Sequence, residues 1–405
     1  MGENLLQSLL SGFYASVEID TVPEIRRREF GTGTFGKKIS SRHISFHSSA
    51  ELNSFLREKQ PFFISYSPAL YERPSSTPMG NKGLIGADLV YEFDADDLKT
   101  PCKLSHDSWK CLDCSASGRG RPEACAGCGS VRIDFDEWVC TECIGETRRQ
   151  TMKLLGRLEK DFGFSDGISV NFSGSKGFHT HVRAEAVRGL SKNARLELLD
   201  FITATNLDLR LLGFYAEKSV FRCPVKADAR GWAGKLLEYA GTLLDSGDAE
   251  RLAAEGSITV SMARKLLKEK QGIINGMGRG FMRTVPGVKA EKFWPAVLSS
   301  AISAEKLGVD RQTSIDIYKI VRVPGTIHGS TGLQAKEVPI EALEKFSALD
   351  EAVVMPESEV RVTGATAPRF YLKGKWFGPF NNESVSLPAY AAFYLLARGS
   401  AKGGA

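Results

Sequence analysis

Asp94 and Asp96 lie in the run VYEFDADD, whose aromatic and β-branched residues favour a strand. Side chains two apart on a strand project from one face. Both carboxylates are therefore expected side by side, with Phe93 and Ala95 turned the other way. Like charges this close repel and raise each other's pKa. A divalent cation removes that penalty, and hard oxygen ligands suit Mg²⁺ or Mn²⁺. Asp97 reads as a solvated neighbour. An acidic strand end left in solvent has the same short pattern, so the pair carries chemistry only in company.

Two further segments supply company. SGSKGFHTHV, Ser173 to Val182, has glycines at 174 and 177 that let backbone N–H groups approach a ligand closely. Ser173 can donate a hydrogen bond, and Lys176 and His179 can face phosphate oxygens. The Gly-Lys-Ser/Thr order of a Walker loop is absent. His179 and His181 share a strand face, and a metal pair is a competing reading that lacks a third ligand nearby. VDRQTSIDIYKIVRVPGTIHG adds Asp310, Asp316, Lys319, Arg322 and His328. Two-metal phosphoryl transfer needs carboxylates to hold cations and cationic side chains to balance developing charge. The three segments together match those needs.

Seven of the eight cysteines fall between Cys102 and Cys143. In a chain read as cytosolic, such clustering indicates metal binding rather than disulfides. Four candidate pairs follow in order: Cys102 with His106, Cys111 with Cys114, Cys125 with Cys128, and Cys140 with Cys143. Eight ligands make two tetrahedral zinc sites, closed by protein and therefore structural. CLDC and CAGCG have zinc-ribbon spacing, with a glycine after the last cysteine. Cys223 stands alone and is expected to be buried.

The elements that must position these groups alternate in kind. Up to residue 101 short helical and strand patterns alternate: EIRRREFG as a basic helix end, HISFH, FFISYS and ADLVYEFDADD as strands, LNSFLREK as a helix. Residues 102–143 form the zinc-binding module. ECIGETRRQTMKLLGRLEKDFG opens a second core part, 144–189, with helical spacing that stops at Gly163. Residues 190–300 read as a helical insertion, 301–345 as a third core part, and 346–405 as a C-terminal segment whose GSAKGGA tail should be disordered. The fold class expected is an α/β (α+β) core with mixed or antiparallel sheets, interrupted by a zinc module and a helical subdomain. With 405 residues, 42% hydrophobic and 25% charged, the composition is that of an ordinary soluble protein. A net charge of +5 permits a polyanionic partner without requiring one. No apolar run approaches membrane-helix length, Glu3 disfavours a signal peptide, and Leu6 disfavours myristoylation. A cytoplasmic location follows.

The Asp94-x-Asp96 pair, the Ser173-Gly174-x-x-Gly177-x-His179 turn and the Arg322-x-Pro324-x-x-x-His328 segment have the order and spacing of the catalytic subunits of archaeal/eukaryotic-type DNA primases. EIRRREFG and FGPFNNESVSLPAYAAFYLLARG resemble the archaeal branch, so the likeness spans nearly the whole chain. It implies a nucleotidyltransferase that makes short RNA primers from NTPs on a single-stranded DNA template, with DNA primers as a second product class. In such a subunit Asp94, Asp96 and a third aspartate hold Mg²⁺ or Mn²⁺. Asp310 lies at the spacing the resemblance suggests, and Asp316 is the alternative. Ser173, Lys176, His179, Arg322 and His328 would hold the nucleotide phosphates. Ser175 and Lys176 stand where the turn often carries two arginines; lysine keeps the charge but loses the bidentate fork. The resemblance also implies a nested zinc arrangement, with Cys102, His106, Cys140 and Cys143 on one ion and Cys111, Cys114, Cys125 and Cys128 on another. Sequential or crossed pairing is the alternative. A large regulatory subunit is the implied partner, forming a heterodimer on template and primer. Basic surface, including the arginines at 26–28 and parts of the helical insertion, would track the template. Intact acidic residues weigh against an inactive binding protein, and the absence of a fused ligase or nuclease weighs against a repair polymerase.

Overall fold

Val, Ile, Phe and Tyr at alternate positions build two four-stranded antiparallel sheets. In a computed structural model, which describes residues 2–217 and 220–404, the first sheet has the order Val321–Arg322, Phe63–Tyr66, Phe30–Thr34, Lys37–Ile44. The second has the order Lys336–Val338, Ile168–Phe172, Gly177–Val182, Leu89–Asp94. Its register sets His179 opposite both Glu92 and Asn171, and Gly177 opposite Asp94. Residues directly opposite share a face, so Glu92, Asp94 and His179 lie on one side. The other side carries Phe93, Phe172, Phe178 and Val338, all buried in the core.

The chain divides into two compact units, one of residues 1–156, 164–196 and 308–405 and one of 157–163 and 197–307. In the first, the amino-terminal helix Gly2–Ser16 and the helix Ala389–Ala397 share the main core with both sheets. Every residue from Ala389 to Leu396 is buried, which suits a helix apolar on all sides. The second unit has its own core, centred on Leu236, Leu244, Leu266, Trp294 and Val297. It consists of helices and a small sheet, Tyr215–Glu217, Val220–Arg222 and Phe281–Met282. Cys223 is buried there, and burial pushes its thiol up to about 12.

Four expectations need correction. The tail is not disordered: Lys402–Gly403 pairs with Val362 and Thr363 as an edge strand, its backbone satisfied where its side chains have little to bury; Ala405 lies outside the described residues. Arg28 is no surface cation. It is fully buried, its guanidinium 2.9 Å from Asp88 and donating to the carbonyls of Pro23, Ser67 and Pro68. The strand expected at HISFH runs earlier, over Lys37–Ile44. EIRRREFG yields only a three-residue turn of 3₁₀-helix, Ile25–Arg27, because Phe30 already enters an inner strand of the first sheet. A mixed α/β fold with several antiparallel sheets is the outcome.

Candidate active site and metal centres

The strand Leu89–Asp94 ends at the first aspartate, and Asp96 stands in the turn beyond it. Both still reach one cavity of about 250 Å³, also lined by Glu92, Ser173, Lys176, His179, Arg322 and His328. Asp94 is the more strained carboxylate. Burial and then the neighbouring charges of Asp96, Glu92 and Asp97 push it up to about 7, an arrangement that a bound cation would relieve. At Asp96 burial works upward but the ammonium of Lys176, 3.0 Å from Oδ2, holds the carboxyl below its ordinary value. Asp97 is exposed, as a solvated neighbour should be.

The glycine turn is locally determined. Ser173 Oγ accepts from the N–H groups of Ser175 and Gly177, and the Ser173 N–H donates to the Gly177 carbonyl. A Cβ on Gly177 would lie 1.7 Å from the carbonyl oxygen of Phe93, so only glycine lets the turn close against the aspartate strand. Lys176 is not a free phosphate ligand in this arrangement. It bridges Asp96 and Glu137, the latter at 2.5 Å, while Arg121 pairs with Glu137 and donates to the Asp96 carbonyl. His179 lies on the cavity wall, and burial lowers its pKa. His181 does not join it: the ring is fully buried and stacks on Tyr66 with centroids 6.0 Å apart.

Arg322 is held flat over Phe63, 4.9 Å from the ring centroid. Its Nε and Nη1 are buried without a hydrogen-bond partner, and burial lowers its pKa to about 10. Guanidinium nitrogens buried without acceptors are costly unless an anion completes them. His328 packs edge-on against Phe63, and its Nδ1 accepts the Ser330 N–H, leaving Nε2 to carry the proton.

Neither candidate for the third carboxylate lines the cavity. Asp310 caps the short helix Arg311–Ile315 through the N–H groups of Gln312 and Thr313, and its own N–H donates to the Glu92 carbonyl. Asp316 is exposed and accepts the Tyr318 N–H. Lys319 is committed to Glu92, 2.9 Å away. Sequence reasoning missed Glu92, Lys38 and Glu137. Glu92 was within reach, being two residues before Asp94 on the same strand face. Lys38, on the cavity wall, is distant in sequence from every motif, and Glu137, although it stands just before Cys140, carries no local mark of a partner for Lys176.

The cysteines gather in two groups, Cys102, His106, Cys140 and Cys143, and Cys111, Cys114, Cys125 and Cys128, each with its ligand atoms within 4.8 Å of one another. In the first, His106 Nε2 is 3.2 Å from the Cys143 sulfur, and Nδ1 is 2.7 Å from Asp107. Such an outer carboxylate fixes the tautomer that a metal-binding imidazole needs. Asp107 also accepts the Trp138 N–H. The second group sits at the end of a three-stranded sheet, Ser117–Arg119, Ser108–Cys111 and Ile133–Asp136. Gly129, with φ +73°, makes the left-handed turn after Cys128 that a β-carbon would hinder. Four soft ligands converging at these distances suit zinc.

Comparison with known proteins bears on the same residues. A family model described as DNA primase small subunit matches residues 133–340. A DNA primase small subunit PriS of Cenarchaeum symbiosum (strain A) is 30% identical over 400 residues, covering 98% of this chain and 97% of its own. Those of Methanothrix thermoacetophila and Nitrosopumilus maritimus are each 29% identical, covering 98% of this chain and 98% of their own. Identity sustained over both full lengths leaves little room for a shared domain in an otherwise different protein, and this chain belongs to the DNA primase small subunit family, nucleotidyltransferases that synthesise primers for DNA replication.

Proposed function

We propose that this chain makes short RNA primers from NTPs on single-stranded DNA, and that the cavity holding Asp94, Asp96 and Arg322 is where it does so. The observation that carries the reading is the pair of buried, unpartnered guanidinium nitrogens of Arg322, on the wall of the cavity that also exposes two crowded carboxylates. A triphosphate bound beside a divalent cation would complete both groups at once.

Asp94 and Asp96 would hold Mg²⁺ or Mn²⁺, with Asp310 as third carboxylate and Asp316 as the alternative; the cations supply charge neutralisation at the triphosphate and activation of the attacking hydroxyl. Arg322 and His328 donate to phosphate oxygens, and Ser173 shapes the turn that offers further donors. His179 stays neutral by burial and acts as a hydrogen-bonding group rather than a charge. Lys176, on the glycine turn and paired with Asp96 and Glu137, would balance charge at the reacting phosphate by exchanging one carboxylate partner for a phosphate oxygen. The 3′-hydroxyl of a primer, or of a first nucleotide on the template, attacks the α-phosphate and pyrophosphate leaves.

Two zinc ions, one in each cysteine group, are assigned structural roles. A large regulatory subunit is the expected partner, and the site of action is the cytoplasm. No helix among the described residues is long and apolar enough to cross a membrane.

Synthesis on primerless single-stranded DNA with labelled NTPs tests the reading, comparing the unaltered chain with Asp94→Ala and Asp310→Ala. Short products lost in both variants support it and place the third carboxylate at Asp310. Activity in Asp310→Ala moves that role to Asp316. Absence of product with the large subunit and Mn²⁺ supplied would sink it, and extension of supplied primers alone would mark a repair polymerase instead.

A further inference from the structure

The excess positive charge of the chain is concentrated in one short stretch. Between Arg264 and Lys292 stand eight lysines and arginines against two acids, Glu269 and Glu291, a net charge of +6 compared with +5 for all 405 residues. The second unit folds this stretch into the helices Val260–Lys268 and Lys270–Met277, the strand Phe281–Met282 and the start of the helix Ala290–Glu305. Lys270 is ion-paired with Asp245. The other seven cations are exposed, and none has an ion pair among the described residues.

Exposed helix faces commonly interleave opposite charges, which removes this self-repulsion. Here Ala263 and Leu266 turn into the core, which leaves Arg264, Lys265 and Lys268 together outside. Such a face is relieved when a polyanion lies on it.

Lys265, Lys268 and Arg283 converge on one cleft of about 470 Å³, whose wall includes Ile273, Val285 and Pro286, with Glu269 as its one acid. Arg283 lies 4.8 Å over the Phe281 ring, which holds the guanidinium flat. The adjoining loop is tied down: Trp294 Nε1 donates to the Arg283 carbonyl, and Thr284 Oγ1 donates to the Val288 carbonyl. Three cations on a firm backbone beside an apolar wall combine the two needs of a single strand, phosphates to neutralise and bases to cover.

We infer that this cleft binds single-stranded nucleic acid, its phosphates on Lys265, Lys268 and Arg283 and a base against Ile273, Val285 and Pro286. Arg264, Arg279, Lys289 and Lys292 extend the positive field around that stretch of chain. The identity of the strand as template rests on the primer-synthesis reading; the binding itself does not.

Anisotropy of a fluorescein-labelled oligothymidylate, titrated with the full chain over a range of salt concentrations, tests the inference. In Lys265→Gln/Lys268→Gln/Arg283→Gln, affinity at low salt should fall roughly tenfold or more, and the slope of log K against log salt should shrink by about 2, at about 0.7 per phosphate released. A charge-matched control, Lys160→Gln/Lys306→Gln/Lys375→Gln, should change far less, and Lys265→Arg/Lys268→Arg should bind as the unaltered chain does. Asp94→Ala should also bind normally, so a failure of the catalytic reading leaves this result standing. Unchanged melting temperatures exclude misfolding, all three positions being exposed. The inference is overturned if the cleft variant matches the control in affinity and slope. It is equally overturned if the variant keeps the oligonucleotide but loses a fluorescent ATP analogue or the large subunit.

Discussion

Arg322 and Lys176 solve the same problem in opposite ways. Lys176 satisfies its charge within the protein, on Asp96 and Glu137, whereas Arg322 leaves two nitrogens buried and unpaired. Stability and binding should therefore respond with opposite signs to Arg322→Gln. Removing an uncompensated buried charge should leave the melting temperature unchanged or raise it. Loss of charged hydrogen bonds, worth about 1.5–3 kcal/mol each, should weaken NTP binding roughly 10- to 100-fold. Thermal melts and fluorescence titration with an NTP analogue check both. A fall of several degrees with NTP affinity intact would show that Arg322 serves the fold instead. Arg28 is the counterexample: it is more deeply buried than Arg322, but with a carboxylate 2.9 Å away and three carbonyls around it, its charge is met within the protein.

Among the elements, the hairpin Ile168–Phe172 and Gly177–Val182 carries the most constraint. Its turn closes onto the carbonyl of Phe93, and backbone there cannot step aside for a methyl group. Gly177→Ala should cost about 1–3 kcal/mol by overpacking and should abolish synthesis, because the strain falls on the strand that ends at Asp94. Synthesis at the unaltered rate, with the melting temperature unmoved, would mean that the strands separate more easily than this packing allows. The zinc module makes a separate prediction. Its two ligand groups share no residue, so Cys114→Ser should lower bound zinc from two ions per chain to about one. Elemental analysis of the purified protein measures this. Loss of both ions would show that the inner group organises the outer one.

At the scale of the whole molecule, two separate hydrophobic cores predict unfolding that is not two-state. The residues that line the cavity of Asp94 and Arg322 all belong to the first unit, whereas Trp294 is fully buried in the second. Trp294→Ala should cost about 3–5 kcal/mol and move only one of two calorimetric transitions, leaving NTP affinity near that of the unaltered chain. A single transition that shifts as a whole would show instead that the units unfold together. The cluster of charge between Arg264 and Lys292 belongs to the second unit alone, so it too should be lost with that transition.

Much of the site was legible in the chain because its chemistry is local. An Asp-x-Asp at a strand end, a serine and glycine turn, and Cys-x-x-Cys pairs each place their groups within a few residues, where backbone period and turn geometry decide direction. The spacing of those motifs along the chain also carried the family. Tertiary structure decided what depends on groups far apart in sequence. Glu137 reaches Lys176 across 39 residues, and Arg28 meets Asp88 to become a buried pair rather than template-binding surface. The tail found an edge strand near residue 362 to pair with. The grouping of cysteines into two sets was likewise open on spacing alone and is set by the folded sheet between them. Local pattern states which groups a segment can offer; only packing determines which of those groups are already satisfied by the protein and which remain for a ligand.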